Sequence, residues 1–501
     1  MKHLLSTEKI QPPITRRAFL ETTTIAGAGV MLKTAAGGIS NVEVQRKPNI
    51  VYIFSDQQRA KATGYDGNPD VITPNLDKLA GESINFRNTI SVCPVCTPYR
   101  ASLMTGRYPT TTGMFLNDLH LPTNELCIPE IFRNAGYDTA YIGKWHLDGY
   151  GRDTYIPPER RQGWSYWKVA ECDHNNHRSH YYTEASNERR YWEGYDAFAQ
   201  TKDAQQYILD HSDTVKPFLL MVSYGPPHPA SPEAPEAYSA LYTQEQIALP
   251  PNVPRDKQAE ARRHLHHYYA HCTAIDHCAG QLIQTIKDAG IEEDTIFVFT
   301  SDHGGMLLSH GLPYEWKQVA WDESARVPFL LRYPAVHAND GRVIETPLNT
   351  PDILPTLLGL ANIPIPDTVE GEDLSTVIIE GTEIQNRAVL YMSIAPFVGQ
   401  GEPYRALRTR QYTYVRSLEG PSHLFDDLQD PFQMNNLIGK AEYETLSQEL
   451  DTELQKQLDI IGDDFRPPQS YIAKWGYHVD EEGAIPYRPP VEPQGPGLNA
   501  I

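Results

Sequence analysis

Pro48-Asn49-Ile50-Val51-Tyr52-Ile53-Phe54, with Asp56-Gln57 just past its end, is the stretch on which the fold turns. An apolar run of this length reads as a buried strand, and polar residues at its carboxyl end mark where an open α/β sheet places its ligands. Thr73-Pro74 then opens a helix that carries Leu76, Leu79 and Ala80. Residues 139–142, 218–223, 295–300 and 327–332 are further strand candidates, and the first three are followed closely by charged, His or Gly residues. Apolar runs alternating with helical patterns imply an α/β fold, a mostly parallel sheet sandwiched by helices. Residues 259–290 form a long helical pattern ending at a glycine. On it His267 and His271 stand four apart, a spacing that could bind zinc but that without a third ligand reads as an ordinary helix face.

The chain has 501 residues, enough for a large core, with 40% hydrophobic and 21% charged residues. Its net charge of −21 argues against nucleic acid as a partner and means that any polyanionic substrate needs a local basic patch. No stretch is long and apolar enough to cross a membrane. Residues 1–38 read as a removable twin-arginine (Tat) signal peptide, with Arg16-Arg17 before a short apolar run. The expected destination is the periplasm or the outside of the cell, reached through the Tat export machinery. Beyond the signal we expect a catalytic domain over 45–385, a small antiparallel α+β subdomain over 386–465 and a Pro-rich tail over 466–501 that is extended along the surface or partly disordered.

Six cysteines are too few for a disulfide scaffold in a chain of this size. Cys93-Pro94-Val95-Cys96 is formally a Cys-x-x-Cys, compatible with a redox pair or half of a zinc site, and Cys96 alone could be a buried inert thiol. Its other neighbours carry more information. Cys96-Thr97-Pro98-Tyr99-Arg100 and the following Leu103-Met104-Thr105-Gly106-Arg107 resemble the maturation motif of the type I sulfatases, members of the alkaline phosphatase-like superfamily. Tyr99 departs from the small residue usual at its place. The resemblance implies that a formylglycine-generating enzyme oxidises Cys96 to formylglycine, whose hydrate attacks a sulfate ester.

Other blocks extend the resemblance over residues 46–440. It implies that Asp56, Gln57, Asp302 and His303, with residue 96, bind one metal ion. Oxygen-rich ligation favours Ca²⁺ over Zn²⁺, and His303 leaves room for Mg²⁺ or Mn²⁺. Arg100 orients residue 96; Lys144, Lys317 and His228 contact the sulfate; His228 protonates the leaving oxygen; His146 takes the proton from the second hydroxyl so that sulfate departs. Asp322-Glu323-Ser324-Ala325-Arg326-Val327-Pro328 matches a further block of structural character, and Leu424-Phe425-Asp426 with Asp430-Pro431 and Asn436-Leu437 matches the signature of the family's C-terminal subdomain.

Residues 151–190 are rich in aromatic and basic residues and read as a long functional loop outside the core. Arg160, Trp164, Trp167, His174, His177, Arg178 and His180 are the expected contacts to a sulfated carbohydrate, a polysaccharide or its oligosaccharides, through stacking and charge. Two alternatives share these features: a phosphonate or phosphate ester hydrolase of the same superfamily, and a non-catalytic glycan-binding protein.

Overall fold

A computed structural model describes residues 47–229, 233–488 and 491–498. The signal-peptide reading of residues 1–38 lies outside these. A ten-stranded sheet forms the centre, in the order Arg342–Ile344, Ile84–Phe86, Phe329–Arg332, Thr295–Ser301, Asn49–Ser55, Phe218–Ser223, Asp138–Lys144, Tyr166–Ala170, His180–Thr183 and Arg190–Tyr191. The middle five, from Thr295–Ser301 to Tyr166–Ala170, are mutually parallel, and the flanking pairings are mostly antiparallel. Along Asn49–Ser55, Ile50, Tyr52 and Phe54 enter one hydrophobic core while Val51 and Ile53 enter a second on the opposite face. This is why the run is apolar without alternation: successive side chains point to opposite faces, and helices cover both.

The second core is closed by the helices Asp196–Ser212 and Gln258–Asp288, through Ala204, Ile208, Ala274, Ile275 and Leu282. The first contains the buried helix Cys96–Thr105 and extends into a four-stranded antiparallel sheet, Val389–Ser393, Tyr404–Arg408, Tyr412–Ser417 and Gly420–Asp426. Helix Glu444–Ile460 covers that sheet with Leu450, Leu454 and Leu458, spaced one turn apart on a single face. Burial of three such leucines contributes on the order of 1.5–3 kcal/mol each.

Two expectations are corrected. Residues 151–190 are not wholly outside the core, because Tyr166–Ala170 is a strand parallel to Asp138–Lys144 and sends Trp167 inward. The tail is not simply extended. It forms helix Pro468–Trp475 and then packs on the loop segment 113–120 of the catalytic domain, where Tyr477 donates to the Gly113 carbonyl at 3.0 Å and the His120 amide donates to the Gln494 carbonyl at 2.7 Å.

Candidate active site

Register decides which residues meet. Ser55 pairs with Ser301, so the chain leaves both strands at the same level and Asp56 and Asp302 stand side by side. The Asp302 amide donates to the Ser55 carbonyl at 3.1 Å, and the Gln57 amide donates to Asp302 Oδ1 at 3.0 Å. Lys144 ends the strand Asp138–Lys144, and His228 lies just beyond the strand Phe218–Ser223. Gly143 before Lys144 has φ +104°, and a Cβ there would lie 2.1 Å from the Ser223 carbonyl oxygen, so only glycine fits between these strands.

Cys96 is the first residue of its helix, and Val95 before it offers no side-chain cap. The Thr97 amide is taken by Asn117 Oδ1 at 3.0 Å and Pro98 has none, so it is the helix dipole that favours an anion there. The helix ends at Gly106 in the left-handed region, φ 68°, with its amide on the Ser102 carbonyl. Arg107 pairs with Glu125 at 2.8 Å. Thr105, Gly106 and Arg107 thus terminate and anchor the helix. Tyr99 faces the core, 3.3 Å from the Tyr52 hydroxyl, so its size does not intrude on the site.

Asp56, Cys96, Asp302 and His303 are all buried and present ligand atoms within 4.8 Å of one another. His303 Nδ1 is engaged at 2.8 Å by the Gly304 carbonyl, which leaves Nε2 3.3 Å from Cys96 Sγ and 3.6 Å from Asp302 Oδ1. Two carboxylates and an imidazole converging on one point in a dry interior suit a divalent cation. Gln57 stands beside this group, with its amide oxygen 3.1 Å from Lys317 Nζ and its amide nitrogen on the Glu315 carbonyl.

Cations surround these acids. Lys144 Nζ lies 2.5 Å from Asp56 Oδ2 and 3.6 Å from Cys96 Sγ; Lys317 Nζ is 3.6 Å from the same sulfur and 3.3 Å from His228 Nε2. Arg100 braces the floor, donating to the Lys144 carbonyl, Ser223 Oγ, Asp302 Oδ2 and Asp56 Oδ2 at 2.7–3.4 Å. Burial pushes the Asp56 carboxyl up, yet Lys144, Arg100 and Lys317 together hold it well below the usual range. Burial also raises the Cys96 thiol, as does Asp56, but Lys144, Lys317 and His303 draw it well below its ordinary value. Cys93, three residues earlier and outside the helix, is pushed up by burial to about 12 despite the opposing charge of Arg405. None of the six cysteines is in a disulfide.

His146 has φ 58° and is locked there by its amide on the Glu171 carbonyl and its carbonyl on Thr97 Oγ1. Its Nε2 is 3.1 Å from Asp118 Oδ1, and Arg152 grips both oxygens of Asp118 at 2.7 Å. The Tyr487 ring from the tail packs 3.7 Å from the Arg152 guanidinium. Burial opposes charge on His146, but Cys172 and then Asp118 hold its pKa well above the ordinary value. Asp118, Arg152 and Cys172 escaped the sequence reading. A Lys-x-His strand end asks for a carboxylate to orient the imidazole, but nothing in the sequence says which one.

The expected carbohydrate contacts separate. Trp167 is wholly buried and Trp164 nearly so, in a cluster with Tyr141 and Trp145, so neither ring can stack on a sugar. Alternation along Tyr166–Ala170 places Trp167 and Val169 on the inward face, the reason for the error. His180 is buried against Asp173 at 2.6 Å, and Arg160 forks onto Asp148 at 2.7 and 3.0 Å. Arg178 and His177 are exposed, the latter on the Glu233 carbonyl at 2.8 Å. His174 alone reaches the reaction centre, stacked on His228 with ring centroids 3.9 Å apart and touching Cys172 Sγ at 3.4 Å. Burial, then His174 and Lys317, hold His228 well below its ordinary pKa, so it is neutral in the free site.

Known proteins resemble this chain in sequence and fold. The sulfatase family profile matches residues 48–363, and that of the N-sulphoglucosamine sulphohydrolase C-terminal region matches 310–459. The chain is 51% identical to an ulvan-active sulfatase of Formosa agariphila, over 88% of this chain and 87% of that one. It is 32% identical to an endo-4-O-sulfatase of Bacteroides thetaiotaomicron, covering 83% and 93%. The crystal structure of a sulfatase from Bacteroides fragilis superposes with a TM-score of 0.76 at 31% identity, covering 87% of this chain and all of that one. A parallel sheet delivering paired acids, a helix N-terminus and two lysines to one point, together with these matches, places the chain in the sulfatase family, as a sulfuric ester hydrolase.

Proposed function

We propose that the protein removes sulfate from a sulfated polysaccharide or its oligosaccharides, with formylglycine made from Cys96 as nucleophile and one divalent metal ion at Asp56, Gln57, Asp302 and His303. The observation that carries this reading is the setting of residue 96: a helix N-terminus, 3.3 Å from a metal-type imidazole and 3.6 Å from each of two lysine ammoniums. The names of the relatives, one active on ulvan and one an endo-4-O-sulfatase, support a carbohydrate chain as substrate. Ca²⁺ is the metal we favour, since Asp56 and Asp302 supply carboxylate oxygens and formylglycine would put oxygen in place of the Cys96 sulfur.

In this reading the hydrated aldehyde supplies one hydroxyl for attack and a second that lets sulfate leave, and the metal draws charge from the sulfuryl oxygens. The chain's own residues do the rest. Lys144 and Lys317 hold the sulfate group, and Arg100 fixes the two acids and the Lys144 carbonyl around it. His228, neutral before substrate arrives, gains basicity beside an incoming anion, takes up a proton from solvent and can pass it to the departing sugar oxygen. His146, aimed by Asp118, accepts the proton in the release step. The twin-arginine sequence supports export, and maturation requires a formylglycine-generating partner.

The test is enzyme co-produced with that maturation system and assayed for inorganic sulfate release across a panel of sulfated glycans, with paired aryl sulfate and aryl phosphate esters alongside. The peptide spanning residue 96 should show the thiol-to-aldehyde mass loss and react with carbonyl reagents. Cys96→Ala should be inactive and Cys93→Ala active. Full sulfate release by the unmodified thiol overturns the proposal.

A further inference from the structure

Trp164 and Trp167 are core residues, so the surface that recognises sugar rings must be sought elsewhere around residue 96. A cleft of about 250 Å³ opens between Pro227 and Pro229, the chain neighbours of His228, and the segment 307–314 that leads to Lys317. Three of its walls belong to segments that build the site. Pro227 and Pro229 bracket His228. Tyr268 sends its hydroxyl to the Gln57 carbonyl at 2.8 Å and receives the Arg59 amide at 2.9 Å. Tyr314 lies three residues before Lys317, and Glu315 between them accepts the Gln57 side-chain amide.

Helix Gln258–Asp288, which carries Tyr268, extends that residue's wall with Arg263 and His264. His264 stacks on Tyr314 almost face to face, with centroids 3.9 Å apart and planes 10° from parallel. Both residues are partly exposed; each hides one ring face in the stack, which leaves an outer face of the pair for a pyranose to pack against. Arg263 beside it is exposed, touches His264 Nε2 at 3.4 Å, and makes no ion pair among the described residues. Burial and Arg263 hold His264 below its ordinary pKa, which leaves Arg263 as the lasting cation of the cleft. Glu233, Glu260 and Glu315 lie within electrostatic reach of the same group and disfavour a densely sulfated ligand.

We infer that this cleft binds the sugar unit next to the one being desulfated, with the ring on the His264–Tyr314 platform and a single carboxylate or sulfate of that unit on Arg263. The inference rests on the proposed glycan-desulfating reading and adds to it a requirement: the preferred substrate is at least a disaccharide with an anionic neighbour. A guanidinium held in the open can fork onto a carboxylate or a sulfate with two parallel hydrogen bonds, while a ring stack is indifferent to charge. The two contacts therefore report separately.

The matured enzyme and its Arg263→Ala and Tyr314→Ala variants would be compared on 4-nitrophenyl sulfate and on ulvan oligosaccharides, the latter before and after chemical reduction of their carboxylates. Each variant is expected to lose roughly tenfold in kcat/KM on the oligosaccharides, chiefly through KM, and to stay within about twofold of the parent on the aryl ester. Carboxyl reduction that costs the parent the same factor but leaves Arg263→Ala unmoved identifies the anion as a carboxylate; a parent indifferent to reduction, with Arg263→Ala still impaired, identifies a second sulfate. Equal losses on both substrate types, or none on either, would overturn the inference. Calorimetric binding of the same oligosaccharides to Cys96→Ala needs no turnover. Should sulfate release fail altogether, tenfold weaker binding after adding Arg263→Ala still upholds the cleft, and unchanged or absent binding rejects it.

Discussion

Charge pairs at the floor of the site and at its rim have similar geometry and opposite surroundings. Lys144 and Asp56, and Arg100 with Asp302, have side chains no more than 2% exposed, whereas Arg152 and Arg160 are 27% and 20% exposed and Arg189 with Asp153 40% and 57%. At the floor the side chains are closed to bulk solvent and screening is weak, so each charge is committed to its partner and to whatever anion enters. At the rim solvent shares the load, and a lost partner is replaced by water. Catalytic power should therefore reside in the floor, and substrate choice should be adjustable at the rim at little cost to folding.

The largest effects expected are at the floor, and they divide. Arg100→Ala leaves Asp56 and Asp302 facing each other without their brace, so we expect loss of turnover together with about 3–5 kcal/mol of stability by chemical denaturation. Asp302→Ala removes one of two adjacent acids, whose own carboxyl is raised by burial and by Asp56. It should lose bound metal, by elemental analysis, and turnover while remaining folded. If both variants unfold alike, the floor is a structural core first and a site second.

His146→Ala should differ in kind. Attack on the ester can still proceed, but release stalls, and mass spectrometry of the peptide spanning residue 96 should find retained sulfate. Ordinary steady-state turnover would falsify its role. Asp118→Asn tests the boundary between floor and rim. His146 works as an acceptor only above its pKa, and Cys172 and Asp118 raise that pKa. Removing the Asp118 charge lowers it, so the acidic limb of the kcat–pH profile should move to lower pH while the plateau falls roughly tenfold from lost orientation. At the outer rim, Arg189→Ala should change stability by less than about 1 kcal/mol and leave aryl sulfate turnover intact.

The same division explains what the sequence discloses. Asp56, Lys144, His228 and Asp302 could be placed because each comes after a buried parallel strand or at its end, and such strands are continuous apolar runs whose carboxyl ends share one edge. The rim has no such grammar. Asp118 reaches His146 across 28 residues of chain, and Tyr487 reaches Arg152 from the far end of the sequence. Trp164 and Trp167 sit among polar aromatic neighbours that mask the alternation of a half-buried strand. Tyr404–Arg408 and Gly420–Asp426 went unread as strands because Arg405, Arg408, Gly420 and Pro421 dilute their pattern, although Arg405 is fully buried on Asp463.

Cys96 is 1% exposed in the folded chain, and no enzyme-sized catalyst can reach a side chain so enclosed. The groups that enclose it arrive late: Lys144, then Asp302 and His303, then Lys317, and last the tail that steadies Arg152. At roughly 5–20 residues per second, a ribosome needs about 20–80 s to add the rest of the chain after Cys96. Under the proposed conversion of Cys96 to formylglycine, oxidation of that thiol would be a race with the chain's own completion. A cell making the protein faster than such a maturation enzyme could meet it would then accumulate well-folded molecules that are permanently inert.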